Sequence, residues 1–325
     1  MKDSFKREID YLRISVTDRC NLRCTYCMPA EGIKTISHEE ILSMEEIARL
    51  VRILAGQGIR KIRLTGGEPL VRKNIEALIA QCRAVEDIEE ISLTTNGILL
   101  PTMAADLKAS GLDRVNISLD TLDPERYHQI TRLGDLNLVL RGIEEAKSVG
   151  LTPIKINAVA IKGFNEGEIL DFARLAIDKE LHVRFIELMP VGEASEIKET
   201  HISMEEIIET LEKEFQLVEI PFGKHAGPSK DFEIEGTKGR VGVIAALSNH
   251  FCSRCNRMRL TADGRFRPCL YSSLEYDVRE MLRNGSTDED IASLYQAVIG
   301  LKPKEHHMLL DRYECSDRRM SQIGG

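Results

Sequence analysis

Over the first 190 residues, short apolar runs alternate with helix-patterned segments, and that rhythm leaves few folds open. The runs Tyr11–Val16, Ile59–Leu64, Glu90–Thr94, Arg114–Leu119, Ile154–Ala160 and His182–Leu188 read as strands. Between them Met44–Ala55, Arg72–Ala84, Pro101–Ala109, Gly134–Val149 and Asn165–Lys179 read as helices, with Pro101 where a helix start tolerates proline. A helix between successive strands implies parallel pairing, because parallel neighbours need a crossover rather than a tight turn. The expected fold is α/β, a partial (βα)6 TIM-like barrel over residues 1–190. After Pro190 the rhythm changes: Glu205–Phe215 reads as a helix and Arg240–Ala246 as a strand among Gly- and charge-rich stretches. Residues 191–325 are expected to form a smaller C-terminal α+β layer closing the barrel mouth.

Barrels of this kind gather their chemistry at the C-terminal ends of the parallel strands. The cysteine-bearing loop after Tyr11–Val16 falls there, as do Thr65-Gly-Gly-Glu-Pro69 and Thr94-Thr-Asn-Gly97 after the next two strands. Ser118 and Asp120 close the fourth strand, Lys155 and Asn157 lie on the fifth, and Glu187 and Met189 end the sixth. Gly66 and Gly67 are expected to let backbone approach a ligand closely. Gly-Gly-Glu-Pro alone is an ordinary turn, and Met189 alone an apolar strand end; their shared placement sets them apart.

Cys20, Cys24 and Cys27 stand in Cys-Asn-Leu-Arg-Cys-Thr-Tyr-Cys, with no fourth cysteine near. Each thiolate can bind one iron of a four-iron cube, and with three ligands one iron stays open to a small molecule, unlike a closed electron-transfer cluster. A zinc knuckle is the alternative, and it would need a fourth ligand for which only His38 is at hand. A second triad, Cys252, Cys255 and Cys269, is interleaved with Arg254, Arg257 and Arg259. The step Thr261-Ala-Asp-Gly264 reads as a hairpin turn that carries Cys269 back toward the Cys252–Cys255 pair. On these residues alone a zinc ribbon completed by His250 stays open. Cys82, in a helical pattern, reads as an ordinary buried thiol, and Cys315, in a charged stretch, has no assigned role. The net charge of −8 argues against general nucleic-acid binding, and the lack of long apolar runs against a membrane span. No signal peptide is expected before the cysteines, and numerous free thiols suit a reducing cytoplasm. Local basic residues, Arg13, Arg19, Arg23, Arg63, Arg72 and Lys73, then the arginines of the second triad, suit a small polyanion or a solvated surface.

The first triad resembles the cluster loop of radical S-adenosylmethionine enzymes. Both triads together, with Tyr11-Leu-Arg-Ile-Ser-Val-Thr-Asp18, Cys-x2-Cys-Asn-Arg-x-Arg and the final Gly324-Gly325, are similar to the GTP 3′,8-cyclase family of molybdenum cofactor biosynthesis. The likeness runs from about Tyr11 to the last residue. It implies two [4Fe-4S] clusters, the first on Cys20, Cys24 and Cys27 and the second on Cys252, Cys255 and Cys269. It implies S-adenosylmethionine contacts at Tyr26, Gly67, Ser118 and Met189. For GTP it implies contacts at Arg13, Arg63, Thr94, Lys155, Arg257, Met258 (through backbone) and Arg259.

The activity implied is a lyase reaction. A 5′-deoxyadenosyl radical takes hydrogen from C3′ of GTP, C3′ joins C8, and the product is (8S)-3′,8-cyclo-7,8-dihydroguanosine 5′-triphosphate. Arg257, Arg259, Gly324 and Gly325 are implied to take part, with the diglycine tail expected at the barrel mouth near Arg13 and Lys155. The partners implied are a flavodoxin- or ferredoxin-type electron donor and, downstream, cyclic pyranopterin monophosphate synthase, with a homodimer as the possible assembly. Two other classes stay open on the residues: a radical enzyme that modifies a peptide and carries an auxiliary cluster, and a non-enzymatic iron–sulfur or zinc protein.

Overall fold

The computed structural model describes residues 1–190, 199–223, 227–307 and 318–324. Six parallel strands lie side by side in chain order: β1 (Tyr11–Ser15), β2 (Lys61–Thr65), β3 (Glu90–Thr95), β4 (Arg114–Ser118), β5 (Lys155–Ala160) and β6 (His182–Glu187). Their crossovers are α1 (Met44–Gly56), α2 (Ile75–Arg83), α3 (Leu100–Ala109), the pair α4 (Pro124–Thr131) and α5 (Leu136–Ser148), and α6 (Ile169–Lys179). Each helix turns one apolar stripe to the sheet; in α1 that stripe is Ile47, Leu50, Val51 and Leu54, and a capping box between Ser43 and Glu46 fixes its start. The six-unit partial TIM-like barrel expected from the sequence is present.

The C-terminal third joins this sheet at both edges. β9 (Arg240–Ile244) pairs parallel with β6, and β8 (Lys230–Ile234) and β7 (Leu217–Glu219) follow it antiparallel, after α7 (Met204–Glu212). At the other edge β10 (Arg257–Leu260) pairs parallel with β1, and β11 (Arg265–Arg267) and β12 (Tyr276–Asp277) continue antiparallel. The expected Asp263-Gly264 hairpin joins β10 to β11, with Gly264 in the left-handed region at φ +76°. Helices α8 (Arg279–Arg283), α9 (Asp288–Gly300) and α10 (Met320–Ile323) complete the order. No described helix is long and apolar enough to cross a membrane.

Three elements depart from the sequence reading. Helix α2 starts at Ile75 rather than Arg72, because Pro69–Val71 forms a short 3-10 turn, Arg72 is extended and Asn74 is left-handed. Arg72 instead donates to the carbonyls of Val16 and Leu42, bracing the chain around the cysteine loop. Helix α4 was not anticipated, although Asp123 caps it and Pro124 opens it; nor was α9, although Thr287 and Asp290 form its capping box. Cys82 is fully buried in the core, as read. Cys315 lies outside the described residues.

Gly142, inside α5, faces the loop that leaves β3: an added Cβ would sit 2.6 Å from the Gly97 carbonyl oxygen and 3.0 Å from the Leu100 Cβ. Alanine there gains about 1 kcal/mol of helix propensity but costs about 1–3 kcal/mol of overpacking against backbone that cannot rotate away. Gly142→Ala is expected to lower the thermal unfolding midpoint, and a raised midpoint would show that the α3–α5 contact can relax.

Candidate active site between two cysteine triads

The register of β10 on β1 decides where the two triads stand. Tyr11 is level with Arg257, so Cys252 and Cys255 precede the N-terminal end of the parallel sheet, whereas Cys20, Cys24 and Cys27 follow β1 at its C-terminal end. Strand β11 runs back beside β10, with Arg267 level with Arg259, and returns Cys269 to the Cys252 end. The length of β1, roughly 16 Å at the usual rise per residue, lies between the two ends. The expectation that all chemistry gathers at the C-terminal ends is therefore half right. A cavity of about 880 Å³ joins the two ends, and all six cysteines line it.

At the C-terminal end, the first triad sits on a tightly tied loop. Cys27 and Met28 N–H groups donate to the Cys24 carbonyl at 2.9 and 3.1 Å, and Arg132 donates to the carbonyls of Arg23 and Met28 at 2.7 and 2.9 Å. The Gly67 and Glu68 N–H groups donate to Thr17 and Arg19 carbonyls at 2.7 and 2.8 Å. A Cβ on Gly66 or Gly67 would collide with the carbonyls of Thr17, Asp18 or Arg19. The two glycines thus let the β2 loop press on the cysteine loop, a reason different from the ligand approach read in the sequence. Glu68 is buried, accepts from Leu70 and Asn96 N–H and the Thr95 hydroxyl, and is pushed up to about 7 by that burial. The Tyr26 hydroxyl donates to Asp120 at 2.8 Å, and burial pushes Asp120 up to about 6. Tyr26, Gly67, Ser118 and Met189 all line this part of the cavity.

The thiols of each set lie near enough to repel one another. Burial raises Cys24 well above the ordinary thiol range, with Cys20 and Cys27 adding repulsion, and pushes Cys27 up to about 12 and Cys20 to about 11. At the other end burial raises Cys252, with Cys269 and Cys255 adding to it. Burial would raise Cys255 too, but Arg257 and Lys302 bring it down to about 6. None of the described cysteines is in a disulfide. No group of three or more Cys, His, Asp or Glu among the described residues is gathered closely enough for a single metal ion. A lone zinc would draw its sulfurs to about 3.8 Å from one another, given Zn–S bonds near 2.3 Å, whereas thiolates on separate irons of a cube stand wider. His38 is exposed, and His250 pairs with Glu305 at 3.9 Å and packs on His306.

Between the ends, the wall is cationic. Arg13, Arg63, Lys155, Arg257 and Arg259 line the cavity, as the sequence indicated, and Arg114, Arg184 and Lys302 join them unannounced. Arg114 is paired with Glu90 at 2.6 Å and Arg184 with Asp231 at 3.6 Å. Arg13, Arg63, Lys155 and Arg257 have no carboxylate partner among the described residues; Arg63 lies over the Tyr11 ring and Arg257 over Phe251. Burial, then repulsion from Arg259 and Arg63, pulls Arg13 well below the ordinary arginine range, and burial with Arg184 and Arg114 brings Lys155 down to about 6. Unpartnered buried atoms beside them, Arg13 Nε, Thr94 Oγ1 and Asn157 Oδ1, leave hydrogen bonds to be made. Met258 points the other way, into the core, so only its backbone is near this wall.

The C-terminal tail enters at the first triad's end. Arg259 donates to the carbonyls of Ile323 and Gly324 at 3.3 and 2.8 Å, and a Cβ on Gly324 would lie 2.9 Å from Thr65 Cγ2. Ile323 is buried with Met189, Leu247, Leu270, Tyr271 and Met320. The described part of the tail thus lies beside Arg259, one strand from Arg13, and Gly324 packs on Thr65 and Ser15. Gly325 lies outside the described residues.

Two family models match the chain: Radical SAM superfamily over residues 14–176 and Molybdenum Cofactor Synthesis C over residues 181–308. The GTP 3′,8-cyclases of Moorella thermoacetica and Alkaliphilus oremlandii are 53% and 51% identical to it, each over the full length of both chains. The chain belongs to the GTP 3′,8-cyclase family of the radical SAM superfamily. Among solved structures, Streptococcus suis SuiB bound to S-adenosylmethionine matches with a TM-score of 0.60 at 19% identity, covering 89% of this chain and 68% of that one. SuiB bound to precursor peptide SuiA matches with a TM-score of 0.58 at 19% identity, over 82% of this chain, which spans 60% of it. At that identity the likeness is one of fold. Family membership implies a [4Fe-4S] cluster and S-adenosylmethionine, and three neighbouring half-buried thiols at the Cys20 end fit such a cluster with one open iron.

The Lys155 ammonium yields a pH test. With its pKa near 6 in the free protein, Lys155 is mostly neutral at pH 7.5, and a bound polyanion raises that pKa. Binding of inorganic triphosphate is therefore expected to take up protons at pH 7.5, and its affinity to fall as pH rises above 6. Calorimetry in two buffers of different ionisation heat reads the uptake directly. Lys155→Met should reduce it, and equal uptake in both proteins would place the proton elsewhere.

Proposed function

We propose that this chain converts GTP to (8S)-3′,8-cyclo-7,8-dihydroguanosine 5′-triphosphate, the first step of molybdenum cofactor biosynthesis. One observation carries the reading: four cavity-lining cations without carboxylate partners among the described residues, Arg13, Arg63, Lys155 and Arg257, span the space between two cysteine triads. A triphosphate supplies the balancing charge, and guanidinium groups suit its oxygens. Full-length identity of 53% to a cyclase supports the same substrate.

The roles proposed rest on the family likeness and on which residues line the cavity. Cys20, Cys24 and Cys27 hold the first cluster, with Tyr26, Gly67, Ser118 and Met189 around the S-adenosylmethionine beside it. Arg13, Arg63 and Lys155 bind the triphosphate, the Thr94 hydroxyl supplies a hydrogen bond, and Lys155 Nζ takes up a proton as the anion arrives. Cys252, Cys255 and Cys269 hold a second cluster, and Arg257 and Arg259 bind substrate beside it, with Met258 offering only backbone. When bound, the clusters and S-adenosylmethionine supply one-electron chemistry that no side chain can provide. The protein's part is to fix the ribose and base in one geometry and exclude water from the reacting carbon. Arg259 also holds the tail by its carbonyls, so Gly324 closes the first triad's end. A flavodoxin- or ferredoxin-type protein delivers the electron.

Anaerobic turnover with GTP and S-adenosylmethionine should yield cyclised nucleotide and 5′-deoxyadenosine in equal amounts; S-adenosylmethionine cleavage with GTP recovered intact would overturn the proposal. Cys24→Ala should abolish that cleavage, whereas Cys255→Ala should spare it and lose cyclisation.

Arg257→Ala or Arg259→Ala should each weaken GTP binding by about 1.5–3 kcal/mol, the worth of a hydrogen bond to a charged group. Calorimetry on both variants measures it, and unchanged affinity removes the residue from the site. Deleting Gly324 and Gly325 should leave GTP affinity and both clusters in place while cyclisation collapses; full turnover would make the tail dispensable.

A further inference from the structure

Two cations outside every role above hold the second triad from behind. Lys302, just past α9, is only 3% exposed. Its Nζ donates to the Arg257 carbonyl at 2.8 Å and the Pro268 carbonyl at 2.6 Å, two residues after Cys255 and one before Cys269. Arg7, 7% exposed, donates to the Cys252 carbonyl at 2.7 Å, and to the Lys304 and Pro303 carbonyls at 2.9 and 2.6 Å. Every arm of the triad is thus tied to one short segment, 302–304, or to the arginine that grips it. The arms come from distant parts of the chain: Cys252 and Cys255 from the loop before β10, Cys269 from beyond the β10–β11 hairpin.

Charge distinguishes the two. Arg7 is neutralised by Asp3 at 2.6 Å. Lys302 has no carboxylate partner among the described residues and spends two of its three N–H donors on carbonyls. A buried, unbalanced ammonium is costly unless an anion faces it, and the cavity it lines offers the sulfurs of the second triad.

We propose that Lys302 and Arg7 are positioning residues of the second cysteine triad: together they hold its three backbone arms in register, and Lys302 supplies the fixed positive charge that offsets its thiolates. This rests on the reading that the triad holds a second four-iron cluster. Outer groups that orient ligands typically govern metal retention by about 10–100-fold.

The test is retention and potential rather than turnover. The full chain, reconstituted anaerobically, is assayed for iron and labile sulfide, then challenged with an iron chelator and titrated by electron paramagnetic resonance. The unaltered protein should hold about eight irons, two cubes of four. Lys302→Met should lose the second cluster at least ~10-fold faster, with its midpoint potential shifted negative because a nearby positive charge favours the reduced cube. The first cluster, read from S-adenosylmethionine cleavage, should persist. Lys302→Arg should restore most of the potential. Should Lys302→Met lose both clusters, and so its fold, Arg7→Met decides: it loosens the Cys252 arm but keeps the Lys302 charge, so faster loss is expected at a nearly unchanged potential. Loss rates and potentials equal to the unaltered protein's in the variants would overturn the proposal. About four irons in the unaltered protein would overturn the two-cluster reading and this proposal with it.

Discussion

The parallel pairing of β10 with β1 is the contact on which the rest of the site depends. It makes Tyr11 level with Arg257 and Arg13 level with Arg259, and so places one cysteine triad before the sheet and the other after it. A one-residue slip would turn Arg257 and Arg259 away from the cavity and bring Met258 into it, because side chains alternate along a strand. The apolar partners of that register, Leu12, Ile14, Met258 and Leu260, are all fully buried, so slipping would expose a core face and bury charges. Core packing and active-site geometry are therefore one constraint.

The cost of the arrangement is electrostatic. Arg13, Arg63, Lys155, Arg257 and Arg259 share one cavity wall, and burial first, then like charges nearby, lowers the pKa values of Arg13 and Lys155. A fold keeps such a cluster only where packing elsewhere outweighs it, and a long apolar core runs from Ile9 to Ile299. The tail adds to this balance, since the carbonyls of Ile323 and Gly324 accept from Arg259.

Much of this was legible in the sequence. Strand positions for β1 to β6 followed from short apolar runs, the β10–β11 hairpin from Asp263-Gly264, the cysteine triads from their spacing, and the cavity-lining arginines from the family resemblance. What could not be read was non-local. Nothing near Cys255 announces that its strand lies parallel to β1, so the second triad's place at the opposite end of the sheet was invisible. Arg184, Lys302 and Arg7 act through partners far along the chain, Asp231, Arg257 and Cys252 among them, and pattern within a window does not record such pairs. Gly66 and Gly67, read as points of close ligand approach, also allow the close packing of two loops. The starts of α4 and α9 carried unused local signals, the Asp123-Pro124 cap and the Thr287–Asp290 capping box.

The central claim is that two iron centres face one polyanion cavity from opposite ends of the parallel sheet. Anomalous diffraction at the iron edge, from crystals grown anaerobically, measures this directly. The account predicts two iron peaks, one beside Cys24 and one beside Cys255, separated along the direction of β1. A single iron peak, or a zinc edge in place of iron at Cys255, would contradict it.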